Sequence, residues 1–134
     1  MNPLPFRMTS GAFGELFVQF RLLQFGVQAA APLEDSGNDL IAVRGDVFRA
    51  ISVRATTGRT FNRPKAERLY HILAVVRFQK SEAGEVLLDK TELFLVPRHD
   101  VAHLPNKVSE LSRYQIRKEL VDAFFPKNVQ PIRR

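Results

Sequence analysis

Asp39-Leu40-Ile41-Ala42-Val43-Arg44-Gly45-Asp46-Val47-Phe48-Arg49-Ala50-Ile51-Ser52-Val53-Arg54-Ala55 decides how the chain folds. Two β-type runs, 39–43 and 47–55, flank Arg44-Gly45-Asp46, a connection short enough to pair them as an antiparallel hairpin. In the second run Ser52 and Arg54 are two apart and share one face, with Ile51 and Val53 on the other. Asp39 opens the first run directly before the core-like Leu40 and Ile41. Its carboxylate therefore stands at the rim of the sheet or is buried at some cost.

Upstream, Thr9 and Ser10 are cap-type residues, and Phe13, Leu16, Phe17, Phe20 and Leu23 recur at helical spacing until Gly26, which predicts an amphipathic helix over about 10–25. Val27–Ala31 reads as a short extended segment closed by Pro32, and 33–38 as a polar turn. Downstream, 56–65 carries Gly58, Asn62 and Pro64 among basic residues, the pattern of a mobile loop facing a ligand. Leu69–Phe78 is apolar on both alternating sets, as a strand covered on both faces requires, and Leu88–Val96 is a further strand ended by Pro97. Ser112-Arg113-Tyr114-Gln115 matches a capping box for a terminal helix running through Ile116, Leu120, Val121 and Phe124 to Pro126. The order helix, strands, helix predicts an α/β sandwich around one mixed sheet.

With 134 residues, 45% of them apolar, the chain suits a single domain over 1–134. It contains no cysteine, which excludes disulfides, thiolate zinc sites and cysteine nucleophiles and leaves oxygen ligands and three histidines for any metal. No apolar run reaches the ~18 residues of a membrane span, and Met1–Met8 has prolines where a signal peptide needs its apolar stretch, so the expectation is a soluble cytoplasmic protein with no membrane partner. The formal net charge of +6 favours polyanionic partners. Its cations gather between Arg54 and Arg68 and in the last part of the chain, where Lys107, Arg113, Arg117, Lys118, Lys127, Arg133 and Arg134 lie.

If the hairpin pairs as read, Asp39, Ser52 and Arg54 converge at one end with Glu15, off the apolar face of the first helix, above them. Two carboxylates beside a cation suit a divalent metal and a phosphate. Each residue singly has an ordinary reading, as a solvated helix acid, a turn residue or an exposed strand face. In order and spacing, however, Gly14-Glu15, Gly26-Val27, Pro32, Gly37-Asn38-Asp39-Leu40-Ile41 and Ile51-Ser52-Val53-Arg54-Ala55-Thr56 resemble the core of the PD-(D/E)xK nucleases, nearest to the small Holliday-junction-resolvase and homing-endonuclease types. The resemblance implies a restriction-endonuclease-like α/β/α sandwich with a central mixed sheet. It also implies metal-dependent hydrolysis of DNA, with Glu15 as the helix acid, Asp39 as the metal-binding Asp, and Mg²⁺ or Mn²⁺ held by Asp39 and Glu15.

The third element departs from the family pattern. Ser52 stands where a Glu or Gln is usual and Arg54 where a Lys is usual. A hydroxyl contributes no charge to a cation site, and a guanidinium holds phosphate but is a poor proton acceptor. The expectation is thus a slow nuclease with Glu15, Asp39, Ser52 and Arg54 as its catalytic set, or a nuclease fold kept as a non-catalytic module for DNA or protein binding. DNA backbone contact is assigned to Arg59, Arg63 and Lys65, and to Arg113, Arg117 and Lys118. A homodimer is expected, because cutting a duplex takes two sites. Other motifs are weaker: His99-Asp100-Val101-Ala102-His103 has the i, i+4 spacing of a zinc pair but too short a helix and no third ligand. Gly11-Ala12-Phe13-Gly14 lacks the ending of a phosphate loop and reads as close helix–sheet packing. His71 reads as a hydrogen-bonded core residue.

Overall fold

A computed structural model of the chain describes residues 6–33 and 39–127, with side chains from residue 11 onward. The hairpin forms as β2 (Leu40–Arg44) and β3 (Val47–Thr56), antiparallel from Leu40 opposite Ile51 to Arg44 opposite Val47. Its turn is Gly45-Asp46, with Gly45 at φ +63°, a conformation glycine takes without a steric penalty. β1 (Gln28–Ala30) adds antiparallel to β2. β4 (Ile72–Lys80) lies parallel to β3 and antiparallel to β5 (Val86–Pro97), giving a mixed sheet in the order β1-β2-β3-β4-β5. From Ile72 to Val76 every residue of β4 is buried, which is what its doubly apolar sequence requires.

Two apolar layers cover the sheet. On one face, Phe17, Val18 and Leu22 of α1 (Phe6–Gln24) pack with Ile51, Val53, Ile72, Ala74 and Val76, and Val121 and Phe125, in and just after α3 (Lys118–Phe124), join the same cluster. On the other, Leu73, Val75, Phe94 and Val96 meet Phe61, Tyr70, Val101, Val108, Leu111 and Tyr114. That second cover is built from a loop, the single turn α2 (Arg98–Val101) and two 3₁₀ turns, 108–110 and 112–114. The α/β sandwich is therefore as expected, with both longer helices contributing to one apolar layer.

Parallel pairing of β3 with β4 demands a crossover of a dozen or more residues, and residues 57–71 supply it without a helix. The sequence suggests a mobile loop here; the structure fastens it. Phe61, Pro64 and Tyr70 are buried, and Arg63 donates to the Leu104 carbonyl and Asn106 Oδ1. The Arg98 guanidinium lies 4.6 Å from the centre of the Tyr70 ring and donates to the carbonyls of Arg68 (2.5 Å), Tyr70 (3.3 Å) and Ala66 (2.9 Å). His71 is exposed rather than in the core, and its Nδ1 accepts the Ala50 N–H at 2.8 Å, extending the ladder by a side chain.

Three further expectations are corrected. Thr9 and Ser10 lie inside α1, which starts at Phe6, so they are not its cap. The terminal helix does not start at Ser112: Gln115 bridges Phe94 and Ile116 N–H donates to the Leu93 carbonyl at 2.9 Å, which holds the backbone extended and delays α3 to Lys118. The two glycines of α1 are also unlike. A Cβ on Gly14 would meet the Ala55 Cβ at 3.1 Å and Val53 Cγ1 at 3.4 Å, whereas one on Gly11 would meet nothing within 4 Å.

Gly11→Ala is accordingly expected to stabilise the protein by about 0.5–1 kcal/mol through helix propensity. Gly14→Val is expected to destabilise it by about 1–3 kcal/mol through overpacking. Urea unfolding followed by circular dichroism checks both, and equal effects at the two positions would contradict the close approach at Gly14.

Candidate functional site

β2 begins only at Leu40, opposite Ile51, while β3 continues past that point to Thr56. A backbone N–H on the abandoned edge of β3 must then find another acceptor. Asp39 provides it: its own N–H donates to the Ile51 carbonyl (3.1 Å), and its Oδ2 accepts the Val53 N–H at 2.7 Å. Arg54 Nη1 stands 3.8 Å from the same oxygen and donates to the Val53 carbonyl at 3.0 Å. The bond from the Val53 amide, a charge-assisted contact worth about 1.5–3 kcal/mol, fixes the carboxylate. The ion pair, with both side chains about a quarter exposed, contributes at most ~1 kcal/mol and leaves the guanidinium able to turn to another anion.

Glu15 comes from α1, brought close to the sheet by Gly14 on Val53 and Ala55. Partial burial raises its carboxyl above the usual 4.5, and the neighbouring Asp39 carboxylate raises it further. Asp39 thus stands beside Arg54 at the rim and near enough to Glu15 for the two carboxylates to interact, with Glu15 coming from the helix-covered face and Arg54 from the other. Ser52 shares Arg54's face, but it is completely buried and its Oγ has no hydrogen-bond partner, so it reaches neither Asp39 nor solvent.

The predicted cations fall into distinct circumstances. Arg63 is engaged in fastening the crossover. Arg113 lies against the Tyr114 ring and Asp100, Arg117 is 3.9 Å from Glu119, and Lys118 is 3.8 Å from Asp122. Arg59 and Lys65 are exposed and form no ion pair among the described residues. Arg133 and Arg134, like Gly37 and Asn38, lie outside the described residues.

A polar groove that sequence reading missed runs over the sheet's second face. Arg77 and Glu92 form its floor, 3.3 Å apart, and Arg59, Lys107, Ser109 and Ser112 line its sides. Thr60 bridges Lys107 and Val108 N–H donates to the Arg59 carbonyl at 2.9 Å, so a short ladder brings the segments carrying Arg59 and Lys107 to the same groove. Arg77 is in register with Thr56, two residues past Arg54 on the same face, which puts the Arg54 and Arg77 Cα atoms about 8 Å apart. Arg77 was detectable as the one charged residue in the apolar run 72–78.

The fold is nuclease-like. Its backbone is similar to that of a bacterial homing endonuclease, I-Ssp6803I, with a TM-score of 0.52 over 74% of this chain and 70% of that one, at 14% sequence identity. No family model and no curated protein matches the chain.

Around His99 the structure shows a packing role for the acid. Asp100 accepts a 2.6 Å hydrogen bond from the Tyr114 hydroxyl, which holds its carboxyl below the usual 3.8. His99 and His103 are exposed, and no group of three or more His, Cys, Asp or Glu side chains able to hold a metal occurs among the described residues. No helix of the described residues is long and apolar enough to cross a membrane.

Glu15 gives the rim a pH signature. A carboxyl that holds its proton more tightly folded than unfolded costs stability as pH rises from about 4.5 through its raised value. With a chelator present, Glu15→Gln is expected to gain on the wild type progressively as pH rises above about 4.5. A urea-midpoint difference that stays constant with pH would show that the two carboxylates do not interact.

Proposed function

We propose that the chain is a DNA-binding member of the PD-(D/E)xK nucleases whose Glu15, Asp39 and Arg54 engage a phosphodiester together with Mg²⁺ or Mn²⁺. The observation that carries this reading is Asp39, pinned by the Val53 amide between a second carboxylate and a guanidinium. The donor chemistry fits: Mg²⁺ commonly takes one or two carboxylates and completes its shell with water and substrate phosphate. Glu15 and Asp39, the latter through Oδ1, would hold it. When bound, it supplies a Lewis acid for the phosphoryl oxygen and lowers the pKa of bound water.

Arg54 has the fork geometry to grip a phosphate oxygen pair and stabilise charge that develops there, and it stays protonated at any working pH. It therefore orients and stabilises, and proton removal falls to another group. Arg59, Arg77 and Lys107 provide a path for the flanking backbone along the groove, with Lys65, Arg113, Arg117 and Lys118 as cations outside its lining. Contacts of this kind give affinity and salt dependence with little sequence information. Two copies of the chain supply the two sites that cutting both strands requires.

One observation favours a second reading, DNA binding without hydrolysis. Arg54 already places a fixed positive charge against Asp39 Oδ2 and occupies the Val53 carbonyl, while Ser52 is sealed from the rim.

Incubation of plasmid and branched DNA with Mg²⁺ or Mn²⁺ separates the two. Cleavage that falls on the order of 100-fold in Asp39→Asn, with DNA affinity retained, is expected from the catalytic reading. Equal cutting by both proteins refutes it, and salt-dependent binding without cutting selects the second. In either case, Arg59→Ala with Lys107→Ala is expected to weaken binding to all sequences alike and to flatten the salt slope by about 2. No DNA affinity at low salt would end both readings.

A further inference from the structure

Helix α1 is apolar on two sides. Phe17, Val18 and Leu22 face the core, while Phe13, Leu16, Phe20 and Leu23 are 51%, 59%, 59% and 59% exposed on the opposite side. The exposed four follow a 3-4-3 spacing, the period of a coiled-coil seam. Leu88, 65% exposed, extends the patch across a neighbouring groove on the side of Phe13, Leu16 and Phe20.

We infer that this stripe is the contact surface of a homodimer, in which the α1 helices of two copies pack antiparallel. The sequence of the stripe is self-complementary in that direction: positions 13 and 23, and positions 16 and 20, share one midpoint, so that Phe13 meets Leu23 of the second copy and Leu16 meets its Phe20. An isologous two-fold contact needs this kind of symmetry.

Charge identifies the occupant. The chain carries a formal +6, yet among the described residues neither groove beside the stripe is lined by a charged side chain, so identical copies approach these grooves without repulsion and a polyanion finds no cation in them. A lipid surface is a poor match, because an interfacial helix keeps a cationic face in water, and the other side of α1 is in the core. The area is sufficient. At these exposures each of the five side chains presents on the order of 100 Å², giving roughly 1,000 Å² across the pair, the lower bound for a specific interface. The contact supplies a surface for the two copies invoked in the proposed function, but it is carried by the apolar stripe alone, so a dimer without DNA affinity would leave it standing.

Two measurements on the full chain test it. Sedimentation velocity from 1 to 200 µM is expected to show the 15.3 kDa species passing to twice that mass, and Leu16→Asp with Phe20→Asp is expected to remain monomeric with unchanged circular dichroism. Since the chain has no native cysteine, Leu16→Cys and Phe20→Cys chains can be oxidised separately and mixed. The mixture is expected to form disulfide-linked pairs at least ten times faster than either variant alone. A wild type monomeric at 200 µM, a dimer that survives the aspartates, or efficient Leu16→Cys self-linkage would each overturn the antiparallel α1 contact.

Discussion

A single backbone amide organises the rim of the sheet. Because β2 begins only at Leu40 while β3 runs on past it, the Val53 N–H is left facing an edge with no strand, and a buried or half-buried amide without an acceptor costs about 1–3 kcal/mol. The Asp39 carboxylate accepts it at 2.7 Å. A structural need thereby fixes an acid where α1 delivers Glu15 and β3 delivers Arg54. The same bond accounts for the pairing of the chemistry with the fold: any sequence that keeps this strand geometry has reason to keep an acceptor at position 39.

Ser52 marks where the chain differs from the pattern it resembles. Its partner in register is Leu73 of the second apolar layer, and its hydroxyl is buried on that face without a partner. A carboxylate at that position would need a cation beside it to offset burial, whereas a small hydroxyl costs less to leave unpaired. The positive charge at the rim is instead provided by Arg54, anchored to a carbonyl of its own strand.

Much of the fold was legible because periodicity and turn chemistry agree locally: the two-residue turn at Gly45, the doubly apolar run from Ile72, and Gly26 at φ +78° after α1 are each encoded within a few residues. Hairpin alternation placed Asp39 and Arg54 at the same end of the ribbon, where they stand 3.8 Å apart, but it did not reveal that Ser52 on the same face is sealed in the core. What escaped depends on distant partners. Gln115 and Ile116 are extended because β5 offers them bonding partners, against a capping signal that reads well in isolation. Arg63 and Arg98 look like free surface cations until the carbonyls they bind are known, and the Arg77 groove exists only because residues 57–61 and 106–112 come together over the sheet.

The crossover at 57–71 has a consequence for the order in which the protein matures. Arg59 rides on that segment, and its partner Lys107 is aligned with it only through the Thr60 bridge, forty-odd positions away in the chain. Contacts so remote in sequence close after local helices and hairpins have formed. A chain whose crossover has not yet closed therefore lacks this alignment, and the groove takes its shape only with the long-range part of the fold.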